Sequence, residues 1–208
     1  MEYSKEFKAA LSQLSSIEKD RLIFRLLKKD KILSKKLYFE LIDEETADQK
    51  RDQMEEIVKE KVEYAARYIS NQKYFVVLIR KISAEITEHV KVTTDKFGDV
   101  SLNLFLINQI LEYNDKLSRQ RFNDIYKLYL YIINKIVKAL ALTKKLDEDY
   151  WMEIDELLST IYEKVTNNIY LEKLFINNGI DFNWFNVERI PDHFDLIIKD
   201  IKSQGFLK

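Results

Sequence analysis

The chain has 208 residues, with 34 Lys+Arg against 35 Asp+Glu, a formal net charge of -1 and a pI of about 6.2; a dedicated nucleic-acid binder is usually basic overall. Hydrophobic residues make up 46% of it and aromatics 12%, enough to build a core and too much for a disordered chain. Three Gly and one Pro argue against hairpins and long loops, and the absence of Cys excludes disulfides, thiolate nucleophiles and cysteine-held zinc or iron–sulfur groups.

Helices joined by short turns remain. A first is expected over residues 3–14. A second starts at 15, because Ser15 and Glu18 have the S-x-x-E spacing in which hydroxyl and carboxylate each satisfy a free backbone N–H. Asp30 caps a third, to about residue 42. Thr46 and Gln49 repeat the box for a fourth, in which Met54, Ile57, Val58, Val62, Ala65 and Ile69 recur at i, i+3, i+4. The helical pattern then runs to about residue 93, broken at Ser70, Asn71 and Gln72, where Ser and Asn compete for backbone hydrogen bonds.

Around Gly98 the pattern stops, and Ser101 is expected to open a helix in which Leu102, Leu104, Phe105, Leu106, Ile107, Ile110 and Leu111 leave hardly a polar side. Such a helix belongs at the centre. Ser118 starts the longest helix, striped from Phe122 to Leu140, and Asp147 caps another carrying Ile154, Leu157, Leu158, Ile161, Tyr162 and Val165. A helix over 169–177 ends with Gly179 as a left-handed cap; Pro191 begins the last, closed by Gly205. This predicts an all-α chain of eight or nine helices in a single domain over 1–208. The architecture is either a multi-helical bundle around 101–116 and 119–143 or a short α-solenoid-like stack of helix pairs, although no fixed repeat period occurs.

The stretch KDRLIFRLLKKDKILSKK, residues 19–36, holds eight basic side chains against two acidic ones. At about 100° per residue, Leu22, Ile23, Leu26 and Leu27 fall on one side of a helix and Arg21, Arg25, Lys28 and Lys29 on the other. The plain reading is a solvated face, with Lys28 and Lys29 well placed against the C-terminal dipole. A solvated face usually mixes signs, however, and Lys31, Lys35 and Lys36 extend the same charge. An anionic partner is therefore expected at Arg21, Arg25, Lys28, Lys29, Lys35 and Lys36. Residues 147–163, DEDYWMEIDELLSTIYE, carry seven acids and no base, so the chain contains a counterpart of its own, within one molecule or between copies.

Glu85, Glu88, Glu112 and Asp115 read E-x-x-E then E-x-x-D. The pattern resembles the magnesium-binding arrangement of all-α nucleoside-triphosphate pyrophosphatases and implies carboxylates holding a cation against phosphates. It covers four residues and lacks the family's other acids; Glu60/Glu63 and Glu153/Glu156 repeat the spacing elsewhere, so solvated helix surface is the simpler reading. His89 and His193 are the only histidines, far apart, with no H-E-x-x-H, Ser–His–Asp set or glycine-rich phosphate loop. No catalytic residue, metal or cofactor is expected. Trp184 and Phe185, in FNWFN, either pin a loop over the core or form an exposed aromatic anchor for a partner.

The first residues, MEYSKEFKAALSQL, do not read as a secretory signal, and LYLYIINKIVKALAL is too interrupted by Asn134, Lys135 and Lys138 for a membrane span. The expectation is a soluble cytoplasmic, non-enzymatic interaction or scaffold module. It acts on a protein partner or on itself; nucleic acid is the less favoured partner and a membrane is not expected.

Overall fold

The computed structural model describes residues 2–207, and among these every regular element is helical. There are eleven α-helices and not eight or nine: α1 (Lys5–Gln13), α2 (Ser16–Lys29), α3 (Lys31–Leu41), α4 (Ala47–Ala66), α5 (Gln72–Thr93), α6 (Lys96–Leu111), α7 (Asn114–Ser118), α8 (Phe122–Thr143), α9 (Trp151–Thr166), α10 (Ile169–Asn177) and α11 (Phe194–Ser203). Three short 3-10 turns accompany them, at Glu148–Tyr150, Phe182–Phe185 and Val187–Arg189. Part of the excess is α7, a five-residue helix that the sequence pattern divides between its neighbours, running the central helix on to 116 and starting the next at Ser118. Ser118 ends α7 with its hydroxyl on the Asp115 carbonyl, 3.2 Å away, and α8 begins only after Arg121.

Several starts follow the expected capping chemistry. Ser15 and Glu18 close a full box on α2, and Thr46 and Gln49 do the same on α4. Two differ. The central helix starts at Lys96, because the Asp95 carboxylate accepts the Gly98 N–H at 2.8 Å. Gly98 therefore lies inside the first turn: a Cβ there would stand 2.4 Å from Asp95 Oδ2, so the residue keeps the cap seated and does not break the helix. At the other end, Pro191 opens a turn in which Phe194 N–H reaches the Pro191 carbonyl at 3.1 Å, and α11 starts only at Phe194. Gly179 and Gly205 do adopt left-handed φ values of 69° and 99°, beyond the ends of α10 and α11.

α6 packs against α4, α5, α8 and α9, and its Leu102, Leu104, Leu106, Ile107 and Ile110 are fully buried, as a helix apolar nearly all round requires. α10 rests on α8 and α9, and α11 on α8. The buried side chains from Met54 to Leu207 form one connected cluster. The first three helices stand outside it. α3 packs on α5 and α2 packs on α3, yet α1, α2 and α3 contribute no buried residue.

Candidate functional site

On α2, Arg21, Arg25, Lys28 and Lys29 are all exposed, and none has a carboxylate within 4.0 Å among the described residues. The apolar side is only partly covered. Leu22 and Leu27 are half-buried, but Ile17, Ile23, Phe24 and Leu26 are exposed, Ile17 at 65% and Phe24 at 64%. Lys35 and Lys36 differ from the α2 cations, since Lys35 pairs with Glu88 on α5 and Lys36 with Glu40 at 3.7 Å. The hydrogen bond from Lys35, reinforced by its charge, holds the Glu88 carboxyl below the ordinary carboxylate range. The free basic surface is thus α2 and its immediate flank.

The acidic segment is also open. Asp147 caps the turn before α9 through the Asp149 N–H, and Asp155 accepts the Val187 N–H at 2.7 Å. Glu148, Asp149, Glu153, Glu156 and Glu163 are exposed, and no lysine or arginine pairs with them among the described residues. Glu148, Trp151, Met152, Asp155, Glu156 and Glu188 line a cleft of about 760 Å³. Met152 stands 73% exposed at its edge. No ion pair joins this surface to residues 19–36 within the molecule, again among the described residues.

The FNWFN aromatics belong to the core. Trp184 and Phe185 are 8% and 5% exposed. Trp184 meets Phe194 edge-on at 5.1 Å, and Phe185 lies 5.7 Å from Phe175 and from Tyr162. The short 3-10 turn folds the side chains inward, so they pin a loop and present no anchor to a partner.

Each glutamate of the pyrophosphatase-like pattern carries a lysine of its own: Glu85 pairs with Lys61, Glu88 with Lys35, and Glu112 with Lys164. Among the described residues, no group of three or more His, Cys, Asp or Glu is placed to hold a metal ion. His89 lies beside a cleft of about 530 Å³ between α3 and α5, with its Nε2 buried and without a hydrogen-bond partner. Burial lowers its pKa, partly opposed by Asp95.

Two polar features escape sequence reasoning. Arg51 reaches from α4 to Asp95 at 3.0 Å, with its guanidinium 4.5 Å from the centre of the Phe97 ring, so the cap of the central helix is also a nearly buried ion pair. Lys135 sits two-thirds of the way along α8 and donates to Asn103 Oδ1 at 2.6 Å, while burial and then neighbouring Lys138 push its pKa down to about 8. A lysine interrupting an apolar run is visible in sequence; its desolvation depends on α6 packing beside it.

Compared with known proteins, the chain matches no family model, no curated protein and no solved structure. No helix among the described residues is long and apolar enough to cross a membrane.

Proposed function

We propose that the chain is a non-enzymatic protein-interaction module whose working surface is α2, where Arg21, Arg25, Lys28 and Lys29 meet an acidic protein surface while Phe24 and Ile17 supply apolar contact. We read the helices gathered around α6 as one bundle domain, with α1–α3 as an arm laid on its side through α5. One observation carries the proposal: four cations without partners share a helix with four large apolar side chains left uncovered. Exposed apolar groups beside unpaired charge are a common composition for a docking surface, with apolar contacts giving affinity and the charges orientation. The buried positions of Trp184 and Phe185 remove the rival aromatic anchor, and the paired state of Lys35 and Lys36 narrows the basic surface to α2.

The test is affinity capture from the native host, comparing wild type with a variant carrying R21E, R25E, K28E and K29E. A defined partner, retained by the wild type and lost from the variant while circular dichroism stays unchanged, is the expected result. A retained-partner profile identical for both would overturn the reading. Phosphate contact by the same side chains is the competing reading, and it is separated by salt: binding of a DNA or RNA duplex that weakens steeply between low and physiological ionic strength would favour it.

A further inference from the structure

We infer that the partner of the α2 surface is a second copy of this chain, which receives α2 along the outer side of α9. The inference rests on the interaction reading above and names its partner.

The two helices carry matching outer lines. On α2, Ile17, Arg21, Phe24 and Lys28 are spaced by four, three and four residues, so at about 100° per residue they fall along one side; all four are exposed. On α9, Met152, Glu156, Ser159 and Glu163 have the same spacing, and all four are exposed too. Laid side by side in parallel register, Ile17 faces Met152, Arg21 faces Glu156, Phe24 faces Ser159 and Lys28 faces Glu163. Antiparallel pairing sets Ile17 against Glu163 and Lys28 against Met152, and no opposite charges face one another. Sliding the antiparallel pair by one turn brings Arg21 to Glu163 and Lys28 to Glu156 but separates Ile17 from Met152, so it is the added apolar pair that favours the parallel direction.

Charge also rejects the other self-pairing. A two-fold contact of α2 on α2 would bring together two helices that each carry five basic residues against only Glu18 and Asp20, and like-charge repulsion opposes it. A heterologous contact of α2 on α9 joins opposite signs and buries Met152 with Ile17. A flat anionic membrane is a poorer fit. Leu22 and Leu27, which would have to insert with the other apolar side chains, are already half-buried where α2 packs on α3.

The matched line spans twelve residues on each helix, roughly 16 Å at about 1.5 Å per residue, short of a standard interface. Association is therefore expected to be weak, reversible and weakened by salt. Because the contact is heterologous, it extends beyond a dimer into a ring or an open chain.

Sedimentation velocity tests this on the full chain with two variants, R21E/K28E on α2 and E156K/E163K on α9. Wild type should show concentration-dependent species, including species larger than a dimer, and these should recede as salt is raised. Each variant alone should lose association at least about tenfold, because α2 and α9 then carry the same sign. Mixing the two should restore it: the reversed α2 of one meets the reversed α9 of the other, and the unaltered surfaces meet as in wild type. Circular dichroism of each variant, matching wild type, shows that the losses are not unfolding.

Three results would overturn the inference: a wild type that stays monomeric in low salt, self-association indifferent to both variants, or a mixture that stays as dissociated as its components. Binding to an RNA duplex or to phosphatidylserine vesicles that is lost with R21E/K28E and kept with E156K/E163K, in a monomeric wild type, would assign α2 to that polyanion. A monomeric wild type leaves the broader interaction reading standing; that fails only if α2 reversal changes no captured partner.

Discussion

α2 and α4 follow the same rule of sequence and reach opposite ends. In α4 the periodic Met54, Val58, Val62 and Ala65 are all buried, because α5 and α6 close over them. In α2 the equally periodic Leu22, Ile23, Leu26 and Leu27 have α3 as their main neighbour, and Ile23 and Leu26 remain open. The contrast extends to the regions. Of the 24 exposed large hydrophobic side chains among the described residues, eleven fall within residues 3–42 and no buried side chain does, so the arm presents about as much uncovered apolar material as the four-times-longer remainder. Amphipathic spacing shows that a helix has a side to cover; what covers it is decided by its neighbours.

The largest expected effects test whether the arm stands outside the core. Phe75 and Leu106 are fully buried, and Phe75→Ala or Leu106→Ala should cost about 3–5 kcal/mol in urea unfolding, from lost burial and the cavity left behind. Phe24→Ala should change stability by less than about 0.5 kcal/mol. A cost above about 1.5 kcal/mol for Phe24→Ala would place the arm inside the cooperative core and erase the contrast.

Next in size is the start of α6. Asp95→Ala removes both the helix cap and the partner of Arg51, and should cost about 2–4 kcal/mol. Gly98→Ala should cost about 1–3 kcal/mol, because its Cβ would displace the Asp95 carboxylate. The matching cap on the arm, removed by Ser15→Ala, should cost no more than about 1 kcal/mol. Equal losses for Asp95→Ala and Ser15→Ala would show that the nearly buried ion pair adds nothing to the cap.

Lys135 sharpens the contrast through pH. Its folded pKa of about 8 lies below the unfolded value of about 10.4, so between the two the unfolded chain binds a proton that the folded chain does not. Its contribution is therefore fully present above pH about 10.4, falls as the pH drops through this window, and is gone below about 8. The change should be about 2 kcal/mol, once partial solvent screening is allowed for, and should vanish in Lys135→Met. Urea unfolding across this range measures it; a Lys135→Met profile parallel to wild type would contradict the assigned burial. The smallest effect is on the arm: reversing Arg21, Arg25, Lys28 and Lys29 should leave the melting temperature within about 2 °C of wild type.

How far the sequence could be read follows the same division. Periodicity and caps identify α4, α8 and α9 and place α6 at the centre, because those signals are local and the packing agrees with them. The start of α6 was hidden because Gly98 reads as a breaker until the Asp95 side chain is seen in the space its Cβ would fill. The cations of α2 were visible as a run, and the carboxylates of α9 as another. Their separation within the molecule is tertiary, as is the claim of Glu88 on Lys35, whereas Glu40 lies one turn from Lys36 on α3 and that pair is local. Trp184 and Phe185 could be given two roles because the spacing of FNWFN matches no helical stripe; only the 3-10 turn shows which way the rings point.

Hydrogen exchange read by mass spectrometry at two protein concentrations about a hundredfold apart, in low salt, tests most directly the claim that the core is complete and α2 awaits a second copy. Slowed exchange at the higher concentration is predicted in α2 and α9, with α6 and α8 unchanged, and high salt should remove the difference. Exchange in α2 and α9 independent of concentration, or protection gained equally throughout α6 and α8, would contradict it.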